Sequence, residues 1–261
     1  MTPASASNTP PDMPLGKLFG LPVALLGEAQ VVERIAAYLA SSQAGADKRR
    51  GAWQVVTLNP EIAMRARRND ELRAIIQHAG LVVADGIGVV LALRLRRYRA
   101  PERVTGVDLM EALAARAATD GWRVFLLGAQ PGVAETAAAI LTQRHPGLIA
   151  AGTYAGSPTP EDDTATLAHI SAAQPDILFV AFGAPAQECW IARQGEQLDG
   201  VVALGVGGAL DFIAGRVPRA PDWMRRLGLE WLYRLWREPW RWRRMLALPR
   251  FALAAVWERE T

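Results

Sequence analysis

Asp85 closes an apolar run, Leu81 to Ala84, and is followed by Gly86. A carboxylate at the end of a buried strand, with a glycine behind it, stands where a ligand can reach it and is suited to taking a proton from a hydroxyl. An aspartate in that place also stabilises the start of a following helix, so both roles are open to it. Thr57 and Asn59 mark a second boundary of this kind, where the β-branched run Gln54–Thr57 meets Asn59-Pro60-Glu61. They either line the ligand edge or are only a strand end and a cap. Asn59 ahead of Pro60 is equally a plain helix N-cap.

Gly128-Ala129-Gln130-Pro131-Gly132 joins a strand to a helix, and the backbone N–H groups of such a turn suit phosphate. Many α/β turns share that composition. Gly205-Val206-Gly207-Gly208 is half of a dinucleotide fingerprint whose remaining glycine is missing, and close strand–helix packing accounts for it equally well. Asp211 follows in the next helix and either faces the cleft or favours the helix dipole. Glu161-Asp162-Asp163 falls in the first turn of a helix after Pro160, where acids suit the dipole, and reads as structural. No Asp-x-Asp occurs, and His78, His145 and His169 have no ligand spacing. A single cysteine, Cys189, rules out an internal disulfide or a cysteine metal cluster; beside Trp190 it reads as a small buried hydrophobe. No metal and no cofactor are expected.

The elements that must position these groups repeat as strand, loop, helix. Apolar strands end at Thr57, Ala84, Leu127, Ala181 and Val206, with a shorter one over Leu148–Gly152. Helices are predicted over about 60–68, 69–78, 87–97 and 108–119, the last capped by Asp108, and from Gly132 to Arg144 and Ser157 to Ala173. Further helices follow Phe182-Gly183-Ala184-Pro185 and Gly207-Gly208. Apolar strands alternating with helices predict an α/β fold: a Rossmann-like, mostly parallel sheet with helices on both faces. Ligands in such sheets bind outside the carboxyl ends of the strands. Thr57, Asn59, Asp85, Gly128, Gly183, Gln187 and Gly205 to Gly208 all gather at that edge, which is stronger evidence than any one motif.

The chain has 261 residues, 51% of them hydrophobic and 21% charged, so it can bury a sizeable core. A net charge of +3 is too small to suggest a nucleic-acid partner. No run reaches the roughly 18 apolar residues that span a bilayer. The first residues carry neither the basic nor the apolar region of a signal peptide, and 1–16 reads as a disordered lead. A core over 17–215 and an appendage over 216–261 follow from the charge. The appendage holds eleven arginines against five acidic residues, and six of the nine tryptophans. Arginine with interfacial tryptophan suits a lipid headgroup layer; a helical tail packed on the core is the plainer reading. Arg234, Arg237, Arg241 and Arg244 follow a 3-4-3 spacing, one stripe on a continuous helix, which Pro239 interrupts with a kink or a new helix start. Arginine suits bidentate phosphate capture, and near a membrane a diphosphate is the natural target.

Several motifs in order resemble the WecG/TagA/CpsF glycosyltransferases: Thr57-Leu-Asn-Pro-Glu61, Ala84-Asp-Gly-Ile-Gly88, Phe182-Gly-Ala-Pro-Ala-Gln-Glu188, Gly205-Val-Gly-Gly-Ala-Leu-Asp-Phe212, Arg219-Ala-Pro-Asp-Trp-Met224 and Gly228-Leu-Glu-Trp-Leu-Tyr-Arg-Leu235 with Glu238-Pro239. The resemblance runs from about Val23 to Leu246. It implies an inverting, metal-independent enzyme that moves a sugar from a UDP-sugar to an undecaprenyl-diphosphate-linked sugar, peripheral at the cytoplasmic face of the cytoplasmic membrane, for a cell-surface polysaccharide. It implies Asp85 as general base, with Thr57, Asn59, Arg103 and Gln187 as polar cleft residues. It further implies Arg234, Arg241 and Arg244 as binders of the lipid diphosphate, and a looser role for Asp211 beside the donor loops at Gly128, Gly183 and Gly207. The donor sugar stays open among N-acetylmannosamine, its uronic acid and glucose. Two other classes stand beside this one: a nucleotide-dependent oxidoreductase on a Rossmann core, and a non-catalytic membrane-binding module.

Overall fold

The computed structural model describes residues 13–44, 51–99 and 102–257. A hairpin of β1 (Leu15–Leu18) and β2 (Leu21–Ala24) leads into α1 (Glu28–Gln43). There follow β3 (Trp53–Leu58), α2 (Pro60–Ala66), α3 (Asp70–His78), β4 (Leu81–Ala84), α4 (Ile87–Leu95) and α5 (Gly106–Asp120). The second half continues with β5 (Arg123–Gly128), α6 (Val133–Arg144), β6 (Ile149–Tyr154), α7 (Asp163–Ala173), β7 (Ile177–Ala181), α8 (Ala186–Arg193), β8 (Val202–Gly205) and α9 (Ala209–Ile213). Four short helices end the chain: α10 (Asp222–Arg226), α11 (Glu230–Arg237), α12 (Trp242–Met245) and α13 (Ala247–Trp257).

The main sheet has six strands in the order β4-β3-β8-β7-β5-β6, and every pairing in it is parallel. β3, β4, β7 and β8 are buried along their whole length, as strands covered on both faces must be. One face packs against α1, α5, α6 and α9. The other packs against the β1–β2 hairpin, α2, α3, α4 and α13 beneath β3 and β4, and against α7 and α8 beneath β5, β7 and β8. The chain therefore leaves β3 and the neighbouring β8 toward opposite faces. That divergence opens a crevice at their carboxyl ends.

Local chemistry sets the helix starts. Asn59 Oδ1 accepts from Ile62 N at 3.0 Å and Asn69 Oδ1 from Leu72 N at 2.9 Å. The helix expected to begin at Asp108 begins two residues earlier, because Thr105 is its cap and accepts from Asp108 N at 3.1 Å. The hairpin and α1 were not legible as elements in the sequence. The turn between β1 and β2 is Phe19-Gly20, both with positive φ. Phe19 tolerates this because its ring is buried, edge-on to Phe251 at 5.5 Å. The hairpin starts inside the segment read as a lead, and residues 1–12 lie outside the described residues.

The C-terminal segment returns to the core. Phe251 and Ala255 of α13 are buried in the cluster under β3 and β4, against α2 and α4. Phe251→Ala is expected to remove about 3 kcal/mol of stability, the lower end for a buried aromatic near a chain end. For a chain of this size that lowers the melting temperature by roughly 6–12 °C. Thermal unfolding followed by circular dichroism reads it, and no shift would detach α13 from the fold.

Candidate functional site

At the carboxyl edge lies a cavity of about 910 Å³. Thr57, Asn59, Asp85, Arg103, Gly183, Gln187, Gly207, Asp211 and Arg234 all line it. The sequence thus brought together residues from four strand ends, one loop and the C-terminal segment. Gly128 is not among the lining residues; its neighbours Ala129 and Gln130 are. Gly128 is held against β7, where a Cβ would come 2.8 Å from the Ala181 carbonyl carbon. The side chains of Arg241 and Arg244 lie outside the described residues. Their backbone is in place, and it shows no continuous stripe: α11 ends at Arg237, and a turn of 3-10 helix over Pro239–Arg241 precedes α12.

Asp85 is the first residue past β4, its N–H donating to Leu58 O at 2.9 Å, and Gly86 caps α4 behind it. The carboxyl opens onto the cavity but is otherwise enclosed by protein. Removal from water pushes it up to about 7; Arg103 and Arg234 pull it down, while Glu230 and Asp108 add to the rise. A carboxyl poised there is ionised in a substantial fraction at neutral pH and strongly basic for its type.

The cation that pulls hardest on Asp85, Arg103, is already engaged. Arg103 Nη1 lies 3.6 Å from Glu230 Oε2, and its Nη2 donates to Arg225 O at 3.1 Å. Glu230 also faces Arg219, with Oε1 3.5 Å from Nε. Arg219 in turn donates to Asp108 Oδ1 at 2.7 Å, and Asp108 Oδ2 accepts from Thr105 Oγ1 at 2.7 Å. Burial would raise the Asp108 carboxyl, but these two hydrogen bonds and the arginine charges outweigh it and hold it below its ordinary value. Glu230 and Arg219 stand inside motifs the sequence singled out, yet neither was assigned a part. A net-charge count of the tail hides one acid among many arginines.

Two of the expected polar contacts are committed within the protein. The buried Gln187 amide oxygen accepts from Gly183 N at 3.1 Å and Gly207 N at 3.0 Å, fastening the loops after β7 and β8 to each other. Its Nε2 donates to Glu188 Oε1 at 2.8 Å. Burial pushes the Glu188 carboxyl up, and its Oε2 has no hydrogen-bond partner among the described residues. Thr57 donates to Gly205 O at 3.0 Å, which ties β3 to β8 at the crevice. Arg234, on α11, packs over the loop after β8, its guanidinium carbon 4.9 Å from the Phe212 ring centroid and its Nε 3.1 Å from Glu238 Oε2. A Cβ on Gly208 would fall 2.6 Å from Arg234 Nη2, so a larger residue there would push the guanidinium aside. Asp211 lines the wall from the first turn of α9.

Away from the cavity, Asp162 accepts from Ser157 N at 2.7 Å, and Asp163 accepts from Trp190 Nε1 at 2.9 Å and pairs with Arg193 at 2.8 Å, a structural use of the acidic cluster. Cys189 is half-buried, not enclosed as expected, because it sits on the outer side of α8 from Trp190.

The sequence model of the glycosyl transferase WecG/TagA/CpsF family matches residues 16–261. An N-acetylglucosaminyldiphosphoundecaprenol N-acetyl-β-D-mannosaminyltransferase of Bacillus subtilis is 37% identical over 204 residues, which cover 78% of this chain and 79% of the relative. A protein of the same name from Bacillus spizizenii is 37% identical over 210 residues, 80% of each chain.

The raised carboxyl has a thermodynamic consequence. Between its ordinary value near 3.8 and about 7, folded Asp85 holds a proton that the unfolded chain releases, so stability falls as pH rises across that window. Asp85→Asn removes the effect. The variant is expected to match wild type near pH 4 and to exceed it by up to about 4 kcal/mol above pH 7. Denaturant titrations of both proteins across that range check the widening gap.

Proposed function

The chain belongs to the WecG/TagA/CpsF family of glycosyl transferases, and from that premise we propose that it moves a sugar from a UDP-sugar to a polyprenyl-diphosphate-linked sugar. The reaction inverts the anomeric centre and uses no metal ion. The observation that carries this reading is Asp85: a carboxyl at a strand end, open to the cavity and raised to about 7. A single base suits a single displacement. The acceptor hydroxyl gives its proton to Asp85 as its oxygen bonds to the anomeric carbon. The bond from that carbon to the diphosphate breaks, and the electron pair leaves on UDP.

The loops at Gly183, Gly207 and Asp211, with the turn after Gly128, receive the donor. Asn59, whose Oδ1 is spent on the cap, offers its amide N–H to a sugar hydroxyl. Gln187 and Thr57 act by holding the loops in place, and Arg103 by bringing positive charge beside the base. Arg234, followed in sequence by Arg241 and Arg244, takes the acceptor diphosphate. Charge on the leaving and bound phosphates is met by arginine, a preorganised electrostatic role, in keeping with a sequence that has no Asp-x-Asp. N-acetylmannosamine is the favoured donor sugar, since the relatives named above carry that activity; its uronic acid and glucose are the alternatives.

Access to a lipid acceptor from the cytoplasmic face is part of the proposal. No helix among the described residues is long and apolar enough to cross a membrane. Trp223, Trp236, Trp240 and Trp257 are 60%, 72%, 71% and 83% exposed, amid the arginines of the tail. Amphipathic rings left open among cations suit the interface of an anionic leaflet.

The test is UDP release from a panel of UDP-sugars with a short-chain prenyl-diphosphate-GlcNAc or -glucose acceptor. One donor is expected to give release that persists in EDTA. Asp85→Asn is expected to lower kcat by about 10²–10⁴-fold, the range for a positioned base. Because the ionised carboxylate is the active form, kcat/KM of wild type should rise with pH and level off above about 7. Full activity in the Asp85→Asn protein would remove the base from the reading.

A further inference from the structure

The cavity has a second half that the chemistry above leaves unused. Past Asp85 and Gly86 its wall turns apolar. α4 lines it with Ile87, Leu91 and Leu95, and α13 with Leu248, Ala252 and Val256. In each set the residues are four apart, so each forms one face of its helix. Leu91, Leu95 and Val256 are 53%, 59% and 61% exposed. The adjoining side of α13, with Phe251 and Ala255, is what holds it to the core. Large aliphatic side chains left open together on two packed helices mark a surface made for an apolar partner.

The place of this wall says which partner. α4 begins two residues after Asp85, and Ile87 to Leu95 covers about 12 Å at the usual helical rise. The wall is therefore continuous with the reacting position and leads directly away from it. At its far end α4 runs out into Arg94, Arg97 and Arg99, all exposed, cations of the kind that suit an anionic headgroup layer. A ligand that follows this path has a hydroxyl at one end, anionic groups next, and a hydrocarbon chain beyond them. Resting on the function proposed above, the geometry points to the α4–α13 wall as the seat of the first isoprene units of the acceptor's polyprenyl chain. The sugar and diphosphate lie along Ile87 and Arg234, and the chain passes over Leu91 and Leu95 before it enters the bilayer.

Two measurements test this, both on the full chain in dilute solution without membrane. In the first, a diazirine-bearing farnesyl diphosphate is photolysed with the protein and the labelled peptides are sequenced. Label is expected in 87–95 and 248–256, displaced by unlabelled farnesyl diphosphate and not by inorganic diphosphate. Label confined to the exposed tryptophans, or displaced by diphosphate alone, overturns the seat. So does labelling of 87–95 that fades as protein concentration rises, which would give the wall to a second copy of the chain. In the second, acceptors with one, two and three isoprene units are compared. Burial of each added unit is expected to raise kcat/KM by at least about tenfold over the first steps. In a Leu91→Asn/Leu95→Asn variant that gain should shrink to about threefold or less; both positions are exposed, and an unchanged melting temperature confirms the fold. A gain equal in wild type and variant, or no gain in wild type, also overturns the seat. Absence of transfer with every acceptor removes the proposed function, while the photolabel still decides the lipid seat by itself.

Discussion

The cleft depends on keeping the Asp85 carboxyl out of water without handing it a counter-ion. An aspartate in solvent titrates near 4, and one beside a free arginine titrates lower still. Here two cations and two acids act on it in opposition, Arg103 and Arg234 against Glu230 and Asp108, and desolvation is left as the largest influence. Glu230 is central to this balance. It lies between Arg103 and Arg219, so the guanidinium that could clamp Asp85 is drawn toward α11 instead. Without Glu230, the pull of Arg103 on Asp85 would go less opposed, and the carboxyl would titrate lower.

That balance makes the C-terminal segment part of the cleft. Two of the four charges acting on Asp85, those of Glu230 and Arg234, come from α11. The hydrogen bond from Arg103 to the Arg225 carbonyl and the pair between Arg219 and Asp108 fasten the same segment to the loop before α5 and to its first turn. α13 then inserts Phe251 and Ala255 into the core under β3 and β4. A segment held by half-buried ion pairs at one end and by apolar packing at the other is placed by the fold, and its exposed tryptophans are presented from a fixed base.

How much of this the sequence carried differs by residue, for physical reasons. Asp85, Thr57 and Asn59 were legible because a parallel strand announces its end by the change from apolar to polar, and the sheet dictates that such ends converge. Gln187 was legible as a cleft residue, but its task was not. Whether an amide meets a ligand or two backbone N–H groups depends on loops that approach only in three dimensions. Gly128 itself stands outside the cavity wall, because a glycine at a strand end serves close packing against Ala181 as readily as a ligand. For the tail, the arginines and tryptophans pointed to a membrane-facing appendage, with a helical tail packed on the core as the plainer reading; the fold seats Phe251 and Ala255 of that tail in the core. The pairing of Arg103, Glu230, Arg219 and Asp108 could not be read at all, since its members are scattered along the chain and no local pattern links them.

α4 joins the two halves of the site. Its first turn follows directly from the strand that carries the carboxyl, and its outer face carries the aliphatic stripe. A helix is stiff, so the distance from the reacting atom to the apolar wall is set by backbone geometry and not by a flexible linker. An acceptor that seats its chain on Leu91 and Leu95 thereby has its head delivered at a fixed reach from Asp85. Binding energy gathered on hydrocarbon would then serve orientation at the far end of the molecule, the use of remote contacts that most favours turnover. The same rigidity sets a limit: an acceptor whose head group is longer or shorter than the interval along α4 would lose either the lipid contact or the base. In the proposed reaction, selection of the acceptor thus rests on length measured along one helix as much as on contacts to its sugar.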